Sequence, residues 1–516
     1  MARKPYAARQ QEPSERIDPT EAHLKPEERL FLRWRRSPYH FIKDIIEWKE
    51  GEGPTRQQQE GLEMVGKIAD AKYKVNNNLK CTEEDKQLAG KLGISIRSGH
   101  GTGKDCWLSW VYFWLLTVFP SAIGMVTAPT SHQLDDILWK EFRSWQLKSK
   151  FLAEKFEVQS DKVFLNEPGA KGTRFVSART ANVRGTEDEQ AEALAGQHDD
   201  FMILAADEAS ALPKGTFRPI EGAMTGKMNF AIMIGNPTRA TGYFFESHTK
   251  NRNEWVCLHW SSEECERIPQ SIIEADIKRF GRDSNWYRVR RLGEFPITDE
   301  STLIPYEWAL NAVGREIEAS ASDTRLVGLD VGGGGDDSVM LFREGNIVGD
   351  YIPTCSSPDT MKVTGWAMSE LADTDYDMGF LDPIGIGAGV NDRLRELGVK
   401  KIFAVDVREA SSEPAFFRLR DELLWKVREA FENGTISIPN DDELIGELTT
   451  IKYDTPDSTG KIKVESKKDM RARGLRSPNK LDALALTYYF RERAYRSLGK
   501  MNKFKQKPKP INWRTM

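Results

Sequence analysis

The chain has 516 residues, too many for one hydrophobic core and enough for two domains. With 39% hydrophobic and 29% charged residues and a net charge of −4, its composition is that of a globular soluble protein, so nucleic-acid contacts have to be local. The longest apolar run, from Trp107 to Pro120, is shorter than a membrane span and contains Ser109 and Thr117.

Residues 1–40 are expected to form a flexible N-terminal arm, polar and proline-bearing in most of their length, with no apolar segment of a secretory signal. A cytoplasmic location follows. Five cysteines, Cys81, Cys106, Cys257, Cys265 and Cys355, fit a reducing compartment, and Cys257-x-His259-x5-Cys265 has no fourth ligand at zinc spacing. Helical periodicity begins at Tyr39 and runs to Trp48. The stretch Pro54-Thr-Arg-Gln57-Gln58-Gln59 then precedes another helix. Gln58, some forty residues ahead of a glycine loop, suits either an adenine-reading amide or a polar helix start.

That loop is Arg97-Ser-Gly99-His-Gly101-Thr102-Gly103-Lys104-Asp105. It follows the strand-like run 92–97 and leads into the apolar helix that starts at Cys106. Strand, glycine loop and helix form a phosphate cradle: glycine backbone N–H groups turn inward, and Lys104 with the helix N-terminus supplies positive charge. The spacing is that of a nucleotide-binding P-loop for ATP, with two departures. Ser98 replaces the first glycine, and Asp105 replaces the hydroxyl that normally holds Mg²⁺. A carboxylate there adds negative charge beside the triphosphate.

Strands are expected at 122–127 and 173–179, and a continuous apolar run from Phe201 ends in Asp207-Glu208. The alternation with helices predicts an α/β fold with a mostly parallel sheet. Asp207 is then expected to hold Mg²⁺ through water and Glu208 to orient or deprotonate the attacking water. The next strand ends in Asn236-Pro-Thr238, at a position to sense the γ-phosphate.

After a connecting stretch the pattern restarts at Thr324 with an apolar strand, Asp330, a glycine turn and a second strand. Asp382 closes another short strand, and Asp482 lies on the first turns of a mostly apolar helix, where a carboxylate is costly unless paired or bound to metal. Three such acids can hold two divalent ions for phosphodiester hydrolysis, Mg²⁺ or Mn²⁺. Residues 491–516 carry nine Lys or Arg against Glu492, with Phe504 and Trp513 interleaved, as a solvated end, a phosphate holder or a docking tail.

Together these motifs resemble the large terminase subunit of tailed bacteriophages, from about residue 40 to 490. The resemblance rests on the P-loop, Asp207-Glu208, Asn236-Pro-Thr, Gly293-Glu-Phe-Pro, Asp330, Asp382-Pro-Ile-Gly-Ile-Gly and Ser466-Lys-Lys-Asp-Met-Arg through Asp482. It implies a P-loop ATPase domain at 41–296, a linker at 297–322 and an RNase H-like nuclease domain at 323–490, followed by the basic tail. It further implies double-stranded DNA as substrate, a portal ring and a small terminase subunit as partners, a homo-oligomeric ring docked transiently on the procapsid in the host cytoplasm, and no membrane. Arg184 resembles the arginine that reaches a neighbouring subunit's ATP. The insert 186–200 is a departure from the pattern. Two other readings use the same motifs: a helicase-like DNA-remodelling ATPase whose degenerate nuclease-shaped domain is a clamp, and a non-hydrolysing assembly protein.

Overall fold

The computed structural model describes residues 23–489 except 184, 197, 223–224, 298–300, 321–322, 334 and 456–459. The described residues form two compact units, the first running to 236 with 241–267 and the second of 237–240 with 268 onward.

The first unit is built on an eight-stranded sheet. Its strands are β1 (Gly93–Ser98), β2 (Ala122–Ala128), β3 (Phe156–Val158), β4 (Lys162–Leu165), β5 (Arg174–Thr180), β6 (Phe201–Asp207), β7 (Met228–Gly235) and β8 (Trp255–Trp260). They lie in the order β3-β4-β5-β2-β6-β7-β1-β8. All pairings from β5 to β8 are parallel, and β3 and β4 add an antiparallel edge. The α/β architecture with a mostly parallel sheet is therefore as the apolar runs predict. The helix Lys104–Val118 is apolar on every side because it is buried on every side, with Trp107, Trp110 and Trp114 fully enclosed.

The second unit has a six-stranded sheet of β9 (Arg325–Asp330), β10 (Ser338–Glu344), β11 (Ile347–Val348), β12 (Thr354–Cys355), β13 (Met378–Leu381) and β14 (Ile402–Ala404). The order is β11-β10-β9-β13-β14, with β12 also on β10. The expected hairpin across the glycine turn is present as the antiparallel pair β9–β10, while β13 lies parallel to β9. One face is covered by the helices Thr360–Ala372 and Gly387–Glu396. The other is covered by Leu419–Glu432 and Asn479–Leu486.

Three expected boundaries differ from what the chain does. Residues 26–40 are mostly helical, in Pro26–Arg36 and the start of Pro38–Ile45, and are no loose arm. Trp34 packs against the first core, and its carbonyl accepts a hydrogen bond of 2.7 Å from Trp114 Nε1. Residues 1–22 lie outside the described residues. The stretch 268–296, expected with the ATPase, packs into the second core through Ile273, Phe280, Trp286, Tyr287 and Val289. The expected linker contributes Leu303, Ile304, Tyr306, Ala309 and Ala312 to the same core. Apolar side chains spaced for burial outweigh the loop-like composition around them. The basic tail 491–516 lies outside the described residues.

Candidate functional site

The glycine loop sits between the end of β1 and the helix Lys104–Val118. Gly101 and Gly103 hold φ of 76° and 77°, a region that glycine enters without steric cost. The loop backbone is tied down from several sides: Gly99 N donates to Trp260 O at 2.8 Å, Ser262 Oγ to the His100 carbonyl at 2.7 Å, and Thr102 Oγ1 to Gly99 O at 3.3 Å.

Gln58 is fully buried beneath this loop. Its Oε1 accepts from Thr55 N at 3.0 Å, completing a capping box on the helix Arg56–Asn76, and its Nε2 donates to Gly103 O at 2.9 Å. Both ends of the amide are thus bonded within the protein, so Gln58 takes the second of the two roles its sequence position allowed, a polar helix start, and braces the glycine loop. Gln58→Ala strands the buried Thr55 amide and removes one of the donors to the Gly103 carbonyl, which keeps Trp107 N and Cys106 Sγ. It is expected to lower the unfolding free energy by about 1–3 kcal/mol, read as a lower urea midpoint at unchanged slope.

Strand order decides which side chains meet. Because β7 lies between β6 and β1, Asn236 at its end bridges the other two: Nδ2 donates to Ser98 O at 2.5 Å, and its backbone N donates to Glu208 Oε2 at 3.4 Å. Lys104 Nζ lies 2.8 Å from Glu208 Oε1, 3.1 Å from Asp105 Oδ1 and 3.9 Å from Asp207 Oδ1. Burial works against the Lys104 charge, but the carboxylates of Asp105, Glu208 and Asp207 outweigh it and hold the ammonium well above its usual range.

The two acids at the end of β6 are driven apart. Burial, with repulsion from Asp105 and Glu208, pushes Asp207 up to about 8 against the pull of Lys104. Burial acts on Glu208 as well, but the Lys104 charge and hydrogen bond, His100 and the Asn236 amide hold it below the usual carboxylate range. Glu208 is therefore ionised and able to accept a proton. It sits at φ 46° and ψ 44°, a left-handed conformation that a non-glycine residue keeps only where its surroundings impose it. Thr238 belongs to the second compact unit, and Arg184 lies outside the described residues.

In the second unit Asp330 ends β9, Asp382 follows β13, and Asp482 lies on the helix Asn479–Leu486. All three line one cavity of about 710 Å³. They do not pre-form a cation cage, since among the described residues no group of three His, Cys, Asp or Glu closes to metal-holding distance. Lys467 occupies the gap, with Nζ 3.2 Å from Asp330 Oδ2 and 3.0 Å from Asp482 Oδ2. Arg420 NH2 lies 3.1 Å from Asp482 Oδ1.

Burial pushes Asp330 up to about 6 against the attraction of Lys467, and pushes Asp382 up to about 7 against a hydrogen bond from Ile384 N. Asp482 is buried too, yet Arg420 and Lys467 hold it below its usual range. The donor set fits divalent cations: three hard carboxylates on one cavity, two of which burial makes reluctant to ionise without a counter-charge. Lys467 and Arg420 were not singled out from sequence. Lys467 lies inside the Ser466-Lys-Lys-Asp run, while Arg420 carries no sequence signal, since it reaches Asp482 from a helix 62 residues earlier.

Gly328 sets how closely Asp482 approaches Asp330. It sits mid-β9, where a Cβ would overlap the Ala483 carbonyl oxygen, so the helix backbone rests directly on the strand. Gly328→Ala is expected to push that helix off the sheet at a cost of about 1–3 kcal/mol, measurable as a lower thermal midpoint of the second unit.

No protein-family model matches the chain. A curated relative, the probable terminase large subunit of Enterobacteria phage P7, is 26% identical over 430 residues, covering 77% of this chain and 83% of its own. The large terminase subunit of Thermus virus P23-45 is 23% identical over 72% of this chain and 78% of its own. Among solved structures, the large terminase of a thermophilic bacteriophage in complex with ADP is 13% identical, with a TM-score of 0.36, over 82% of this chain and 98% of its own. The resemblance carried by the motifs is thus shared with curated large terminase subunits along about three quarters of the chain.

Proposed function

We propose that this chain, a relative of large terminase subunits, is the motor and nuclease of a phage packaging machine: its first unit hydrolyses ATP to drive double-stranded DNA into a procapsid, and its second unit cuts concatemeric DNA. The observation that carries the first half is the Lys104–Glu208 ion pair at the end of β6, beside Asn236. An ionised carboxylate within reach of a phosphate loop is what a general base for water attack requires.

ATP bound at the loop would have its β- and γ-phosphates beside the amides of Gly99, Gly101, Thr102 and Gly103 and beside the Lys104 ammonium. Its arrival relieves Lys104 of being neutralised by three carboxylates and leaves Glu208 to accept a proton from water. Mg²⁺ would be held by Asp207 through water and by Asp105, whose carboxylate stands where a hydroxyl is usual.

Asp330, Asp382 and Asp482 would hold Mg²⁺ or Mn²⁺, and a pair of such ions supplies an activated water and a stabilised leaving oxygen in phosphodiester hydrolysis. Lys467 acts as the counter-charge of Asp330 and Asp482, and has to move aside for cations to enter between them. Arg420 keeps Asp482 ionised and fixed while that happens.

The remaining roles follow from the likeness to terminases. The protein would work as a homo-oligomeric ring on a portal, in the host cytoplasm, on DNA chosen by a small terminase subunit. No described helix is long and apolar enough to cross a membrane. Linearisation of plasmid DNA by the full chain with Mg²⁺ or Mn²⁺, together with ATP turnover, tests the proposal. Absence of cutting would leave a DNA clamp, and absence of turnover an assembly protein.

Arg184 would act across the subunit interface on a neighbour's ATP. Arg184→Ala is expected to leave the slow turnover of the isolated subunit unchanged and to lower that of the assembled motor by on the order of 10³-fold. Normal packaging by the variant would remove Arg184 from this role.

A further inference from the structure

The cavity that holds the three acids has an aromatic rim that their chemistry does not use. Phe416 forms an isolated parallel β-bridge with Ile462: Ile462 N donates to Ala415 O at 2.8 Å, and Phe417 N donates to Ile462 O at 3.1 Å. Phe416 turns inward, 5% exposed, with its ring centroid 6.2 Å from that of Trp425. Phe417 turns the other way, stays 43% exposed and lines the cavity.

The backbone on either side of the exposed phenyl ring is held in place, by Phe417 N on the Ile462 carbonyl and by Arg418 N on Asp421 Oδ2 at 2.9 Å. The ring's neighbours are cationic. The Arg418 guanidinium lies 5.6 Å from its centroid, and Lys463 and Lys467 line the same cavity, as does Arg408, which is paired with Asp406 at 2.7 Å. A half-exposed ring beside a guanidinium, in a cavity lined also by three acids and two lysines, suits a nucleotide: the base stacks on the ring and the phosphates meet the cations.

We infer that Phe417 is a base-stacking residue of the nuclease cavity, which takes a DNA strand with one unstacked nucleotide beside the bond to be cut in preference to undisturbed duplex. This rests on the nuclease reading above. A base held in the stack of a paired duplex cannot lie on the ring, so local melting, a bulge or a mismatch would favour engagement. Phe417 acts by positioning and touches no acid that performs the hydrolysis.

The test uses the full chain and a short duplex with 2-aminopurine in a one-base bulge, beside the same sequence fully paired. With Asp330→Asn present to prevent cutting, binding should quench the bulged probe's fluorescence. Adding Phe417→Ala should abolish the quench, while Phe417→Trp should retain it. In the cutting assay, the unaltered chain should cleave the bulged duplex faster than the paired one by on the order of tenfold, within the range of one base stacked on an aromatic ring. Phe417→Ala should bring the two rates together. An unchanged quench and an unchanged preference in Phe417→Ala would overturn the inference, as would the absence of any quench with the parent protein. If Asp330→Asn cuts like the unaltered chain, the nuclease reading falls, and the fluorescence arm alone decides whether Phe417 stacks.

Discussion

Glu208→Gln is expected to bind ATP about as tightly as the unaltered chain and to hydrolyse it roughly 10²–10⁴ times more slowly, the usual contribution of a positioned general base. Its neighbours have already sorted the two acids at the end of β6. Asp207, pushed up to about 8, is reluctant to ionise, and Glu208, held low by Lys104 and the Asn236 amide, stays charged. The amide isostere keeps the left-handed turn and the hydrogen bond from Asn236 but cannot take a proton. Lys104→Ala should fail differently. It removes the phosphate contact and also leaves Asp105, Asp207 and Glu208 facing one another without their cation, so nucleotide binding itself should fall. Equilibrium dialysis with ATP and measurement of phosphate release separate the two variants. Near-normal hydrolysis by Glu208→Gln would take Glu208 out of the mechanism.

What could be read from sequence was what local pattern encodes. The P-loop, the apolar strands ending in Asp207 and Asp330, and the β9–β10 hairpin across its glycine turn each announce themselves within about fifteen residues, through runs that cannot be exposed and turns that need glycine. Asp482 was legible because a carboxylate on an apolar helix demands a partner. The partners were not legible. Arg420 reaches Asp482 from 62 residues away with nothing local to distinguish it from a solvated cation, and Lys467, although inside the Ser466-Lys-Lys-Asp run, is not marked there as the partner of Asp330. The same holds for 268–313, where Phe280, Trp286, Tyr287 and Tyr306 are scattered among charges and proline, so that only the folded core reveals that they are structural. Gln58 shows the limit of position alone: it suited an adenine contact or a polar helix start equally, and the folded chain bonds its amide to Thr55 N and the Gly103 carbonyl.

Asp330→Asn should abolish DNA cutting while leaving ATP turnover within about twofold of normal, because the residue lies in the second unit and every described group named for ATP except Thr238 lies in the first. The change keeps the volume of a buried side chain and removes one of the two carboxylates that flank Lys467, at 3.2 and 3.0 Å. The Lys467 ammonium then has only Asp482 as a direct ion-pair partner, so the acid pair that could exchange it for divalent cations is gone. Folding should change little, since burial already makes the ionised form of Asp330 unfavourable and pushes it up to about 6. The second unit should also cut DNA when separated, provided the separation respects its core. A fragment beginning at Ile268 retains Trp286, Tyr287, Leu303 and Tyr306, whereas one beginning at residue 323 loses all four, and with each large buried side chain roughly 2–3 kcal/mol of burial. The longer fragment is therefore expected to be folded and weakly active on plasmid with Mg²⁺ or Mn²⁺, the shorter one unfolded or nearly so. Equal cutting by the longer fragment and by its Asp330→Asn form would mean that the three acids are structural and that the nuclease assignment is wrong.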